Sequence, residues 1–250
     1  MKTFDPSDLW RVSDFRRARN EGRFELEASP GRATLLPTTL LSDLRRIRSD
    51  PTTSDVLEVI AACLRHHEAA LLYLEQGQFV WPVTVFPREA LYHSPRSAEA
   101  MAATFALSQL RLVSAEPPGV RPPGSILAER VASPEKYHPI TGLVWTVALH
   151  GPRGLLLSEI DGRAAYRVVA ADDARDLPPL KGAISSTVAR LEQRSSSLGE
   201  IARWPGMSIV RASRVLNALY LSGMLLVSRA HPAARGAVAG WRRLLGRRKE

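Results

Sequence analysis

A single cysteine, Cys63, occurs in 250 residues. An intramolecular disulfide framework and a Cys-rich zinc site are therefore excluded. Long apolar runs are also missing. The longest lies near Leu143 to Leu149, far short of the roughly 18 residues that a spanning helix needs. No secretory pattern opens the chain, because Lys2, Asp5, Pro6 and Asp8 leave no apolar core behind the first residues. With one cysteine and no export signal, a cytoplasmic location is expected. Motifs that carry chemistry are absent too: there is no P-loop, GxGxxG after a strand, HExxH, GxSxG or EF-hand loop. The one cluster that invites chemistry is Cys63, His66 and His67. Cys63 sits on the apolar face of its own predicted helix, as a buried thiol usually does. Adjacent histidines point to different helix faces, which is poor metal geometry. No catalytic, cofactor-binding or metal-ligating residue is assigned, and the expectation is a protein that is not an enzyme.

What the chain does have is a globular balance, 45% hydrophobic and 24% charged residues, which excludes disorder and rod-like repeats. It also has a lopsided charge. Residues 1–200 contain 24 Lys/Arg and 24 Asp/Glu, whereas residues 201–250 contain ten basic residues and one acid. The formal net charge of +9 therefore belongs to the last fifth of the chain. A neutral body with a basic end suits an anionic partner: nucleic acid, an anionic membrane surface or an acidic protein. A solubilising basic tail fits the same arithmetic.

Four prolines between Pro117 and Pro123 fix φ and remove amide donors, so residues 116–124 read as a stiff linker. The expected fold class is α+β, in two small mixed domains. Residues 1–115 would form a sensing or docking domain able to take a protein partner. Residues 125–230 would form a C-terminal domain, and 231–250 a basic amphipathic tail.

Within the first domain, helices are expected over Asp8–Arg19, over Thr39–Arg48, and from a cap at Ser54 or Asp55 through Leu64. Short strands are expected at Phe24–Ala28 and from Ala33 to Leu36. A hairpin is expected from Ala70–Leu74 and Phe79–Phe86, with Pro82 marking an edge or bulge. A helix over Ala98–Leu110 and a strand at Leu112–Ser114 complete it. This element order is similar to that of PATAN-type bacterial regulatory domains. In the second domain, Thr141–His150 suits either a buried helix or a strand. Leu155–Ile160 and Ala164–Ala170, joined by Asp161-Gly162, read as a hairpin.

Residues 182–228 carry the sharpest pattern. Ala183–Gln193 is helical. Ser197-Leu-Gly-Glu200 matches a capping box, and Trp204-Pro-Gly-Met207 stops the short helix that follows. Ser208 caps a longer one that buries Ile209, Ala212, Val215, Leu216 and Leu219. Gly223 ends it, and Met224–Ser228 reads as a strand. This layout, about 45 residues long, resembles the winged helix-turn-helix core of MarR-like and IclR-like bacterial regulators. Two departures are visible: no second wing strand follows Val227, and the third helix has only two basic residues. The resemblance implies that this helix enters the major groove of DNA. It would offer Ser208, Arg211, Ser213, Arg214 and Asn217, where Arg pairs with guanine and Asn with adenine. Modules of this shape also serve as protein-docking units, so a signalling scaffold or adaptor is the alternative. DNA-binding members are often homodimers, although no dimerisation helix is legible here. The tail sets Val238, Trp241, Leu244 and Leu245 on one side, with Arg242, Arg243, Arg247, Arg248 and Lys249 around and after them. Such a segment packs back on its domain, touches phosphates or lies on anionic lipid.

Overall fold

The computed structural model describes residues 9–21, 35–49, 55–126, 131–169 and 178–235. The fold is α+β, and the chain divides into two units, Met1–Arg153 and Gly154–Glu250.

The first unit is built on one antiparallel sheet. Its strands are β1 (Trp10–Arg11), β2 (Ala70–Gln76), β3 (Phe79–Phe86), β4 (Leu91–His93), β5 (Arg111–Glu116) and β6 (Tyr137–Pro139), in the order β5-β2-β3-β4-β6 with β1 alongside β3. The expected hairpin forms with a tighter turn than the sequence suggests, because Gln76 pairs with Phe79. Ala70–Leu74 shows no polar alternation because both sheet faces are buried. On one face Leu71, Tyr73 and Val80 pack on Phe15 of α1 (Val12–Asn20). Leu72, Leu74, Trp81, Val83 and Val85 project to the other face and are fully buried. Pro82 sits in a central strand, yet on that side β1 pairs with β3 only as far as Val80 and pairing with β4 begins at Thr84. The gap leaves a residue without an amide donor unchallenged on that side. Tyr73 opposes Ser114 while Leu74 opposes Leu112, so β5 bulges at Val113.

Four further helices belong to this unit: α2 (Thr38–Ser49), α3 (Val56–His66), α4 (Ala98–Thr104) and α5 (Ile140–His150). Asp55 caps α3, its Oδ1 accepting from Leu57 N at 2.8 Å. The open choice at 141–150 resolves to a helix. Leu143 through Ala148 are all buried, as in a core helix. The helix expected over Ala98–Leu110 stops early, because the chain straightens at Phe105 (φ −130°, ψ 148°) and continues as a 3-10 turn at Leu107–Gln109. Of the strands expected at 24–28 and 33–36, only Leu35 and Leu36 lie within the described residues, and they are in no strand.

The boundary expected at 116–124 is corrected. β5 before the proline-rich segment and β6 after it join the same sheet, and α5 packs on β4 and β6. Tyr137 OH donates to Arg121 O and accepts from Ala132 N. The prolines make a stiff excursion within the first unit, and the division falls between Arg153 and Gly154.

The second unit contains β7 (Ala165–Val168), α6 (Gly182–Gln193), β8 (Ser196–Ser197), α7 (Leu198–Ile201), α8 (Ile209–Leu221) and β9 (Leu225–Ser228). The sheet order is β8-β7-β9, all antiparallel. The hairpin expected from Leu155–Ile160 is not formed. β7 already has β8 on one side and β9 on the other, so no edge is left for it. Leu156, Leu157 and Ile160 instead bury their side chains in the core, and Tyr166 OH donates to Ile160 O at 2.7 Å. Ser197 and Glu200 make the capping box, with Ser197 N donating to Glu200 Oε2 at 2.9 Å. Gly223, at φ +71°, ends α8.

Candidate nucleic-acid interface

Helix α8 begins where the sequence places it. Ser208 Oγ accepts from Arg211 N at 3.2 Å, and Ala212, Val215, Leu216 and Leu219 face the core, whereas Ile209, expected with them, is exposed. Ser208 and Arg211 are exposed, and Arg214 is half-buried. The other two expected contacts are corrected. Ser213 is 2% exposed and Asn217 0%. Asn217 Nδ2 donates to Leu155 O at 2.9 Å, and its Oδ1 accepts from Leu157 N at 2.9 Å. The same amide pair that would recognise adenine is spent on an extended stretch of this chain's own backbone. A Cβ placed on Gly154 would meet Val210 Cγ1 at 3.3 Å. Residues 154–157 therefore run along the side of α8 that carries Val210 and Asn217. Helical periodicity identified one buried stripe. The second was hidden because Leu155–Leu157 reads as a hairpin strand. Arg242, Arg243, Arg247, Arg248 and Lys249 lie outside the described residues.

Positive charge gathers instead at the turn between α7 and α8. Arg190 on α6 and Arg194, the extended residue that follows that helix, place their guanidinium carbons 5.4 and 5.6 Å from the centre of the Trp204 ring. Such contacts hold a cation in place without cancelling its charge. Arg211 Nη1 donates to Gly206 O at 2.8 Å, and Arg203 is exposed beside Trp204 in the chain. The turn rests on the start of α6, where a Cβ at Gly206 would lie 2.7 Å from Ala183 Cβ. None of these four arginines pairs with a carboxylate among the described residues. Glu200 is turned into its capping box, and the exposed Glu192, two residues from both Arg190 and Arg194, makes no ion pair with them among the described residues. Sequence reasoning missed Arg190, Arg194 and Arg203. The signal for Arg190 and Arg194 was their four-residue spacing across the end of α6, and for Arg203 its place next to Trp204.

The first unit treats its cations differently. Arg16 and Arg111 pair with Glu75, and Arg46 and Arg65 with Asp43. Arg153 reaches Asp55 at 3.1 Å and Glu58 at 3.0 Å, all three side chains being nearly buried. His66 Nε2 lies 3.0 Å from Asp43 Oδ2. This hydrogen bond, with the charges of Arg65 and Arg46, keeps the Asp43 carboxyl below the usual range. Cys63 is fully buried in α3, and burial pushes its thiol up to about 12. A cleft of about 510 Å³ lies between His67–Ala69, Phe86–Glu89 and Pro118–Ile126. Arg88 in its wall is engaged by His67 O at 3.0 Å and Glu68 at 3.7 Å.

Among the described residues, no group of three or more His, Cys, Asp or Glu side chains is placed to hold a metal ion. No helix among them is long and apolar enough to cross a membrane. The chain matches no family model, no curated protein and no solved structure.

Proposed function

We propose that this chain is a non-enzymatic cytoplasmic regulatory protein whose second unit binds duplex DNA as a helix-turn-helix module, gripping the phosphate backbone. One observation carries the reading: the arginines around the Trp204 turn have no carboxylate partners among the described residues, whereas several of the first unit's arginines do. Arginines without internal counter-ions are suited to phosphate oxygens. Residues 154–250 add 16 Lys/Arg against 8 Asp/Glu, and residues 1–153 have 18 against 17. That field favours encounter with a polyanion. The first unit is the sensing or docking part of this scheme.

The test is a titration of the full-length chain onto labelled duplex across a salt series. Affinity falls steeply with salt, because each neutralised phosphate contributes a slope of about −0.9. Replacing Arg190, Arg194 and Arg211 together with Ala lowers that slope by roughly 2–3. Arg16→Ala and Arg88→Ala, in the first unit, leave it unchanged. Absence of binding at low salt overturns the proposal.

A second reading, an adaptor with a protein-docking module, is favoured by apolar side chains the second unit exposes: Leu155 at 74%, Ile209 at 51% and Leu226 at 52%. Co-purification of a stoichiometric protein partner without nucleic acid supports it.

A further inference from the structure

We infer that the second unit binds duplex DNA without reading its sequence, because the side of α8 that carries Ser213 and Asn217 is already covered by the chain itself. The inference rests on the DNA-binding reading and specifies its substrate class: duplex of any sequence, recognised by its backbone.

Base readout needs side-chain donors and acceptors projecting from one exposed helix face into the groove. From Val215 to Leu219 every residue of α8 is buried. Asn217, the residue best suited to adenine, has its oxygen and its nitrogen engaged by the backbone of Leu157 and Leu155. Ser213 is buried, and Val210 lies against Gly154. In the first turn, Ile209 and Val210 are exposed but have no hydrogen-bonding groups. Ser208 Oγ is taken as the helix cap, and Arg211 bonds Gly206 O through Nη1, with the rest of its guanidinium exposed. Beyond that turn the polar side chains of α8 that are not buried are Arg214 and Tyr220, both half-buried. Two arginines, Arg211 and Arg214, offer less discrimination than the several bidentate contacts a specific site requires. The Trp204 turn, by contrast, presents Arg190, Arg194 and Arg203 in the open, and phosphate contacts position a protein without conveying sequence.

The experiment uses the full-length chain at fixed salt. Three labelled 20-base-pair duplexes of unrelated sequence are titrated, and a pool of randomised duplexes is passed through rounds of selection. The expected result is three affinities within about threefold, one common salt slope, and no enriched motif. An enriched motif, or one duplex bound 100-fold more tightly than the others, overturns the inference and leaves DNA binding standing. Failure of every duplex to bind overturns the helix-turn-helix reading itself, and this inference with it. A second measurement guards against the covering segment swinging aside on DNA. Hydrogen exchange of the Leu157 amide, which Asn217 accepts, is followed with and without duplex. Unchanged protection is expected, and a faster exchange in the complex overturns the inference. Arg214→Ala separates the two roles further. It weakens all three duplexes by the same factor, whereas a loss confined to one sequence overturns the inference.

Discussion

Arg153 shows how a buried charge fixes a chain end. Its guanidinium bridges Asp55 and Glu58, and Asp55 is at the same time the cap of α3. Arg153→Ala leaves two carboxylates buried with their shared counter-charge gone. A loss of roughly 3–5 kcal/mol is expected, read as a lower denaturant midpoint with unchanged slope. Cys63 gives a simpler prediction. A thiol raised to about 12 by burial has almost no thiolate at neutral pH. Iodoacetamide therefore leaves the native chain unlabelled and labels it fully in denaturant. Asp43 supplies the pH dependence. Its carboxyl titrates below the ordinary value of about 3.9, through the His66 hydrogen bond first and then the Arg65 and Arg46 charges. The stabilisation is complete above that ordinary value and disappears as pH falls through the lowered folded one. Asp43→Asn flattens the acid side of the stability curve, and an unaltered curve would refute the assignment. Cys63's burial was legible from helical periodicity. The Asp43 and Arg153 clusters were not, since they join residues 22 and 98 positions apart.

At the scale of elements, local chemistry was the most legible part of the sequence. The Ser197–Glu200 box, the Ser208 cap and the Gly223 stop each follow from two or three residues and each is present. Pairing between strands was less legible. An apolar run beside Asp-Gly has the right local chemistry for a hairpin, but β7 takes β8 and β9 as neighbours. Likewise, Asn217 lay at an exposed position by helical phase, and only its contact with Leu155–Leu157 reverses that. Gly206 joins turn chemistry to packing. It has φ +74° and stands where a Cβ would press on Ala183 Cβ at 2.7 Å. Gly206→Ala therefore meets a left-handed backbone cost of about 1–2 kcal/mol as well as a clash with α6. Thermal unfolding should move down by several degrees, and DNA affinity should fall because the turn carrying Trp204 shifts. Gly223→Ala, at φ +71° in open space, meets only the backbone cost and serves as the control.

For the whole molecule, composition located the charge asymmetry but not the border of the unit that carries it. Residues 154–200 hold 6 Lys/Arg and 7 Asp/Glu, so the excess lies after residue 200, while the compact unit around it starts at Gly154. The proline-rich stretch misled because stiffness was taken for separation. A fragment spanning 154–250 should fold and show cooperative thermal unfolding, and one beginning at residue 182 should not. Sedimentation and circular dichroism of the two fragments check this, and a folded shorter fragment would refute the sheet order.

The central place of β7 has a consequence during synthesis. β8 and β9 never touch each other as strands; each is paired to β7 alone. β7 leaves the ribosome before either, so the template is already outside when its two clients arrive, in the N-to-C order in which growing chains fold. A circular permutant that makes β7 last would present both clients with nothing to join, and its nascent chain would have two open edges exposed to its neighbours.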